Sequence, residues 1–181
     1  MEAAMSGRDL TRRLHESPPL WPALTLAAAA AMLGGAWGFQ LIGGLQPCTL
    51  CLYQRWPYWI VIIIAVFAIP TARQIGPRGL ALFALICALV FAVGTGIAGF
   101  HTGVEQGWWK GLEACGGGNL NDPNMSLAEL KAQLLATPVV RCDEVPWSLF
   151  GISLAGYNFL ASLAFTIASL WAALAFWRKT A

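Results

Sequence analysis

The feature that most constrains this chain is a set of long stretches without a charged residue. They run over Ser17–Gln54, Trp56–Ala72, Gly79–Val104 and Val145–Trp177. A bilayer core about 30 Å thick is crossed by roughly 20 apolar residues of helix. Charged residues make up only 11% of the 181-residue chain, whereas soluble domains carry about 25%. This excludes a disordered chain, a nucleic-acid-binding domain and an ordinary cytosolic globule, and it indicates a polytopic membrane protein.

These stretches predict an all-α membrane protein, a bundle of four transmembrane helices that forms one domain over residues 1–181. The predicted spans cover residues 20–43, 50–70, 80–101 and 149–176. The second span is long enough only if its helix begins near Leu50. Pro57 then lies inside that helix, and we expect it to kink the helix because it frees the carbonyl of Tyr53.

A cleaved signal peptide is the competing interpretation of the first stretch, because Arg12 and Arg13 precede it. Its apolar run, from Leu20 to about Gly43, exceeds the roughly 7–15 residues of a secretory h-region. We therefore expect this segment to be retained as the first span.

Basic residues set the expected orientation. One side of the four-span arrangement would hold Arg8, Arg12, Arg13, Arg73, Arg78, Arg178 and Lys179. The other side would hold Lys110, Lys131 and Arg141, diluted by acidic residues. The positive-inside rule then places both termini and the 73–78 connection in the cytoplasm. The connections over residues 44–50 and 102–148 would lie on the outer side.

The longer outer connection is too long to be a simple linker. Ser126 and Glu129 are spaced as a capping box, and Leu127, Leu130 and Leu134 follow at helical spacing. We predict a short amphipathic helix here. It would either lie on the membrane surface or pack against the tops of the spans.

Four of the five cysteines fall on the outer side of this arrangement. Cys48 and Cys51 form a Cys-Thr-Leu-Cys pair between spans one and two, and Cys115 and Cys142 lie in the long loop. Cysteines on an oxidising face form disulfides, and the spacing favours Cys48 with Cys51 and Cys115 with Cys142. A simple loop staple and a zinc site made of all four are the alternatives; zinc usually takes two close pairs. Cys87, inside span three, is expected to be a buried apolar side chain.

The close pair, Cys48 and Cys51, is the better candidate for redox chemistry, because a thiolate near a helix N-terminus or a cation is stabilised. If a helix begins near Leu50, Cys51 sits in its first turn, where free N–H groups favour an anion. Arg55 follows at i+4 on the same face. A guanidinium at the edge of the hydrocarbon region is a functional candidate; the alternative is snorkelling to lipid headgroups.

His101 lies at the outer end of span three, at about the depth of Cys51 and Arg55. It is either an interfacial histidine satisfied by water or a carbonyl, or a third member of one pocket. An outer dithiol that accepts electrons must pass two of them onward, and a lipid-soluble quinone can reach it inside the bilayer. Arg55 and His101 would supply the positive charge or hydrogen-bond donors that a quinone requires.

These residues resemble a known family. The matching segments are Pro47-Cys-Thr-Leu-Cys-Leu-Tyr-Gln-Arg55, Phe100-His-Thr-Gly-Val-Glu105 and Cys142-Asp-Glu-Val-Pro-Trp147. In a four-span frame with further outer cysteines, they look like the signature of DsbB, the bacterial inner-membrane oxidoreductase that reoxidises the periplasmic oxidant DsbA. The resemblance extends from about residue 20 to residue 177.

The resemblance implies a relay with its redox cysteines in the periplasm. A reduced DsbA-like partner would attack the Cys115–Cys142 disulfide at Cys115, and the electrons would pass to Cys48 and Cys51. Cys51 would meet a membrane quinone, either ubiquinone or menaquinone, with Arg55 and His101 as its binding residues. No metal is expected. The glycines after Cys115 are interpreted as mobility that lets the loop disulfide reach both the partner and the inner pair.

Two other functions compete with this one. An enzyme of the vitamin K epoxide reductase type resembles this chain in size and in its paired cysteines, but that family places its quinone-facing pair after the loop cysteines. A four-span scaffold with a stapled loop, as in tetraspanin-like proteins, would have no evident use for Arg55 below Cys51.

Overall fold

The computed structural model describes residues 17–112, 126 and 140–179. Its elements are α1 (Leu20–Leu41), α2 (Thr49–Tyr53), α3 (Trp56–Glu105), β1 (Ser148–Leu149), β2 (Ile152–Ser153) and α4 (Leu154–Trp177). Among the described residues, three helical segments are long and apolar enough to cross a membrane: α1, the run Thr49–Glu105, and α4. The mostly helical character expected of a membrane protein is therefore confirmed.

Helix α1 ends at Leu41, two residues before the predicted end of the first span. The chain then passes through Gly43 and Gly44, and Gly44 has a φ of 67°. Glycine adopts this conformation without steric cost, so the helix stops although the apolar run continues.

Helix α3 is 50 residues long, and a straight helix of that length would span about 75 Å. It is divided at Gly76, whose φ of 64° and ψ of −173° are not helical. The chain reverses direction at Gly76. Two contacts between its halves show this: the Tyr58 ring lies 6.1 Å from the Phe91 ring, and Gln54 hydrogen-bonds to His101. Residues 56–75 and 77–105 are therefore two antiparallel helical segments.

This reversal corrects the predicted connection between spans two and three. Arg73 and Arg78 were expected in a short loop, but both are helical and the break is confined to Gly76. Pro77 follows directly, and its fixed φ and missing N–H suit the start of a helix. A glycine and a proline together make a turn without a loop.

The core between these segments and their neighbours combines small residues with large apolar ones such as Phe83, Phe91 and Phe176. Fully or almost fully buried alanines lie on every long helix: Ala29, Ala65, Ala72, Ala81, Ala84, Ala98 and Ala172. Small residues let helix backbones approach closely, as they do in membrane bundles. Large apolar side chains also point outward, including Ile63, Phe67, Leu82, Leu89, Val93, Ile167 and Leu174. Close helix packing inside and an apolar perimeter outside are the arrangement expected in lipid.

The return into α4 differs from the prediction of a helix that starts at residue 149. Strands β1 and β2 form a two-stranded antiparallel hairpin, and its turn residues Phe150 and Gly151 have φ values of 51° and 77°. Helix α4 starts at Leu154, where the Ser153 side chain accepts a hydrogen bond from the Gly156 N–H at 3.0 Å. A serine N-cap of this kind stabilises the first turn.

Two predictions for the outer loop lie beyond what the structure describes. The amphipathic helix predicted after Ser126 falls outside the described residues, except for Ser126 itself, and so does Cys115.

Helix α3 extends to Glu105, one turn beyond the predicted end of the third span.

Candidate functional site

The site begins at a break between two helices. Cys48 is the N-cap of α2, which ends at Tyr53, and Arg55 is the N-cap of α3. Pro57 occupies the first turn of α3, where a missing N–H costs nothing. The interruption expected at Pro57 lies directly before the proline: helix α2 ends at Tyr53, α3 begins at Trp56, and Gln54 and Arg55 between them keep helical dihedral angles.

Cys48 and Cys51 are free thiols in this structure, and their sulfur atoms lie 2.8 Å apart. Cys48 Sγ also accepts the Cys51 N–H at 3.2 Å. The hydrogen bond from the Cys51 thiol outweighs burial and, with the hydrogen bond to His101, lowers the pKa of Cys48 to about 4. Cys51 was expected to carry the anion, but the free N–H of this first turn points at Cys48 instead. The structure therefore contains an adjacent dithiol whose anion is held on Cys48.

His101 lies against this dithiol. Its Nε2 is 3.6 Å from Cys48 Sγ and 3.9 Å from Glu105 Oε1, and the two side chains are 3% and 2% exposed. Ser153 donates a hydrogen bond to the other carboxylate oxygen of Glu105, and the backbone of Cys142 hydrogen-bonds to the imidazole. The imidazole therefore joins the dithiol, the end of α3 and the chain that leads into α4.

The loop cysteine Cys142 packs beside the close pair. It is disulfide-bonded and 1% exposed, and it shares a small apolar cluster with Cys48, Leu50 and Val104. Its expected partner, Cys115, lies outside the described residues. The structure thus brings a loop disulfide to the side of the dithiol that Cys48 occupies.

On the other side of the dithiol lies a cavity of about 260 Å³. Its polar lining includes Cys51, Arg55 and His101, so three of the predicted site residues meet in one pocket; most of its remaining lining comes from apolar residues of α1 and the start of α4. Arg55 Nη1 donates a hydrogen bond to Gln40 Oε1 at 2.9 Å. Arg55 is therefore turned toward α1 and the cavity rather than extended to the surface as a simple lipid anchor.

A metal site is the other chemistry that this cluster could hold. The ligand atoms of Cys48, Cys51 and His101 all lie within 4.8 Å of one another. Two thiolates on a tetrahedral zinc ion would be about 3.8 Å apart, however, and here the sulfurs are 2.8 Å apart. The sulfurs are too close together to be two ligands of one zinc ion, and their separation fits a pair of cysteines that can form a disulfide better than a zinc site.

Sequence reasoning found the charged and sulfur-bearing residues but missed the amides around them. Gln40 holds Arg55, Gln54 contacts His101, and Asn158 of α4 reaches Gln54. A usable signal was present, since polar side chains inside apolar spans are rare and face the bundle interior. Cys87 is fully buried in the apolar core, as predicted.

These features define a class of protein: a helical membrane protein with a buried dithiol between a loop disulfide and an apolar cavity. The family model for disulfide bond formation protein DsbB matches residues 18–172. The chain belongs to the DsbB family, and this membership supports disulfide-forming oxidoreductase activity and an inner-membrane location.

Individual relatives agree with the family match. The chain is 32% identical over 143 residues to disulfide bond formation protein B of Nitrosococcus oceani. This match covers 78% of this chain and 83% of the relative. It is 30% identical over 147 residues to the protein of the same name from Methylococcus capsulatus, covering 78% and 87%. No solved structure matches the chain.

Proposed function

We propose that this protein reoxidises a periplasmic DsbA-like thiol oxidase and delivers the electrons to a membrane quinone. One observation carries the proposal: the two thiols of the dithiol face different surroundings. Cys48 packs with the disulfide-bonded Cys142, whereas Cys51 lines the apolar cavity together with Arg55 and His101. Electrons would enter the pair at Cys48 and leave it at Cys51.

The cavity fits a quinone headgroup in chemistry and size. At about 260 Å³ it is slightly smaller than the roughly 300–1,000 Å³ of typical ligand sites, which suits a single ring. The apolar residues of α1 and α4 would enclose the ring, and Arg55 would offer hydrogen bonds and positive charge to its oxygens. His101, whose two nitrogens face Gln54 and Cys48, would line the cavity beside the ring. A quinone bound there supplies an acceptor for two electrons and two protons.

Thiol–disulfide exchange accounts for the entry of electrons. The cycle starts from the oxidised pair, in which Cys48 and Cys51 are joined by a disulfide. A partner thiolate attacks Cys115 and releases Cys142 as a thiolate, which attacks Cys48 of that disulfide and releases the Cys51 thiolate. The second thiol of the partner then attacks the partner sulfur that is bonded to Cys115 and releases the Cys115 thiolate. Cys115 attacks Cys142 in the Cys142–Cys48 disulfide and releases Cys48. The partner leaves as a disulfide, the loop disulfide is restored, and the two electrons reside on the dithiol.

The site residues would stabilise the anions that this exchange creates. Cys48 is stabilised as a thiolate by the Cys51 N–H and by His101. Arg55 and Cys51 line the same cavity, so the guanidinium would be available to a thiolate released there. Water is excluded because Cys48 and His101 are only 4% and 3% exposed.

We further propose that the chain crosses the inner membrane four times, with the Gly76 turn and both termini in the cytoplasm and the cysteines of the site in the periplasm. Residues 56–75 and 77–105 would be spans two and three. The antiparallel pairing of these segments supports this topology, as does the distribution of basic residues.

The proposal is tested by anaerobic stopped-flow mixing of the purified protein with a reduced DsbA-like partner and either ubiquinone or menaquinone. We expect quinone absorbance to fall as the partner is oxidised, at a rate that depends on this protein. A partner that stays reduced with both quinones would contradict the proposal. Disulfides that stay unchanged when quinone is supplied or withheld would support a stapled scaffold instead.

A further inference from the structure

A chain of hydrogen bonds runs from the dithiol into the interior of the bundle. Gln54 Nε2 lies 2.6 Å from His101 Nδ1, and Asn158 Nδ2 donates to Gln54 Oε1. Tyr58 donates its hydroxyl proton to Asn158 Oδ1. The chain connects α4 to both antiparallel halves of α3 through side chains that sequence reasoning did not select.

The far end of the chain is closed by Ser162 of α4. Its hydroxyl lies 2.8 Å from the Tyr58 hydroxyl, and because the single Tyr58 proton is already given to Asn158, Ser162 is the donor of this bond. Four of the five side chains are buried: Tyr58 and His101 are 3% exposed, Gln54 is 6% exposed and Ser162 is 1% exposed. Asn158 is partly buried. Each group in the chain therefore donates one hydrogen bond to its neighbour, and every bond points from Ser162 toward His101.

We propose that this polar chain fixes the tautomer of His101, with the ring proton on Nε2, facing the cysteines. An amide nitrogen only donates hydrogen bonds, so the Gln54 nitrogen beside Nδ1 requires Nδ1 to be the acceptor. In a neutral imidazole the proton is then on Nε2. Asn158 and Tyr58 are positioning residues, since they touch neither sulfur and act through Gln54.

The other side of the imidazole is consistent with this assignment. Nε2 faces two acceptors: Cys48 Sγ at 3.6 Å and the Glu105 carboxylate at 3.9 Å. The backbone of Cys142 also hydrogen-bonds to the ring. The titratable groups around His101 are Cys48, Cys51 and Glu105, and none of them requires an unprotonated Nε2. With Nδ1 held as an acceptor and Nε2 surrounded by acceptors, both nitrogens agree on one tautomer.

The assignment gives His101 a definite role toward Cys48, and this consequence rests on the proposed function of the dithiol. A ring with its proton on Nε2 donates a hydrogen bond to the Cys48 thiolate and does not remove a proton from the thiol. A reversed chain, with both amides flipped, would put the proton on Nδ1 and leave Nε2 to accept from the thiol. That arrangement would favour the neutral thiol and slow exchange at Cys48.

Nitrogen-15 NMR of the imidazole tests the tautomer directly. The chain has two histidines, so His15→Gln leaves His101 as the sole signal in the reduced full-length protein in lipid nanodiscs. At a pH of about 9, well above the ordinary histidine pKa of about 6.5, we expect the chemical shifts of a ring protonated on Nε2. A ring protonated on Nδ1, or on both nitrogens, would overturn the assignment.

Variants then test whether the chain sets the tautomer. Asn158→Leu removes the link between Gln54 and Tyr58, so we expect a mixture of tautomers and about tenfold slower alkylation of Cys48. Tyr58→Phe removes one hydroxyl at little structural cost and should shift the mixture less. Should Asn158→Leu fail to fold, Tyr58→Phe carries the test.

A matched control separates this role from a general loosening of the helices. Thr95→Val removes the 3.5 Å contact between Thr95 and Thr166, which joins α3 to α4 outside the polar chain, and should leave the ring signal unchanged. An unshifted signal in both Asn158→Leu and Tyr58→Phe, or an equal shift in the control, would refute the positioning role. The sample contains neither quinone nor partner, so the result does not depend on the proposed electron transfer.

Discussion

Two buried cysteines of this chain lie in opposite surroundings. Cys48 is 4% exposed and Cys87 is 0% exposed, so burial does not distinguish them. Cys87 lies in the main apolar core with residues such as Ala84 and Phe91. Cys48 instead accepts the Cys51 N–H, contacts the Cys51 sulfur and faces the imidazole of His101.

The comparison shows that partners, rather than water access, decide the chemistry of a buried thiol. Desolvation alone raises a thiol pKa and makes the group inert. At Cys48 the hydrogen bonds outweigh that effect and the pKa falls to about 4. The start of helix α2 therefore supplies a donor to the sulfur anion of Cys48, as water does for an exposed thiolate.

The largest expected effect comes from removing the second thiol of the reactive pair. Cys51→Ser should abolish quinone reduction, because no disulfide can form with Cys48. The assay is quinone absorbance with a reduced partner. Cys115→Ser is the matched control: it should abolish exchange with the partner but leave quinone binding intact. Turnover by Cys51→Ser would show that Cys51 is not the exit for the electrons.

The pH profile of alkylation sharpens the contrast between the two buried cysteines. A lowered pKa keeps Cys48 as a thiolate down to a pH of about 4, so its alkylation rate should stay level between neutral and mildly acidic pH and fall only near that value. An ordinary thiol with a pKa of about 8.5 loses about tenfold per pH unit over the same range. Site-resolved mass spectrometry after iodoacetamide treatment measures this. A Cys48 rate that falls steadily from pH 8 would contradict the stabilised thiolate.

A smaller effect is expected at the cation of the cavity. Arg55→Ala should raise the apparent quinone KM about tenfold, the loss expected for a hydrogen bond to a charged group. Gln40→Leu, which only frees the guanidinium that Gln40 now holds, should raise KM less. Steady-state kinetics at varied quinone concentration measures both values, and an unchanged KM in Arg55→Ala would show that Arg55 does not bind the quinone.

The smallest effect is expected at Cys87, for which the described part of the chain provides no polar partner. Cys87→Ala should leave activity within about twofold of the unsubstituted chain, because it changes only apolar packing. The stopped-flow assay that measures Cys51→Ser measures this variant as well. A large loss of activity in Cys87→Ala would break the comparison.

The sequence predicted those parts of the fold that depend on composition. Long apolar runs located α1, the two halves of α3 and α4, because helices that cross lipid must be long and uncharged. Cys51, Arg55 and His101 were expected in one pocket from their similar depth, and all three line the same cavity.

Other features depended on single backbone angles or on tertiary contacts, which composition does not report. The Gly76 turn replaced an expected loop because one glycine takes a φ of 64°. The anion was predicted on Cys51, but the structure places it on Cys48. Helix α2 begins directly after Cys48, so the N–H of Cys51 points at the Cys48 sulfur. The buried amides required knowledge of which helices pack together.

The most direct test of the central claim uses the protein alone. Reduced protein is mixed anaerobically with quinone, and free thiols at each cysteine are counted by mass spectrometry as quinol forms. The account predicts that Cys48 and Cys51 lose their thiols together while Cys87 keeps its own, with two electrons transferred for each disulfide formed. Quinone that remains oxidised, or quinol formed while Cys48 and Cys51 stay as thiols, would contradict it.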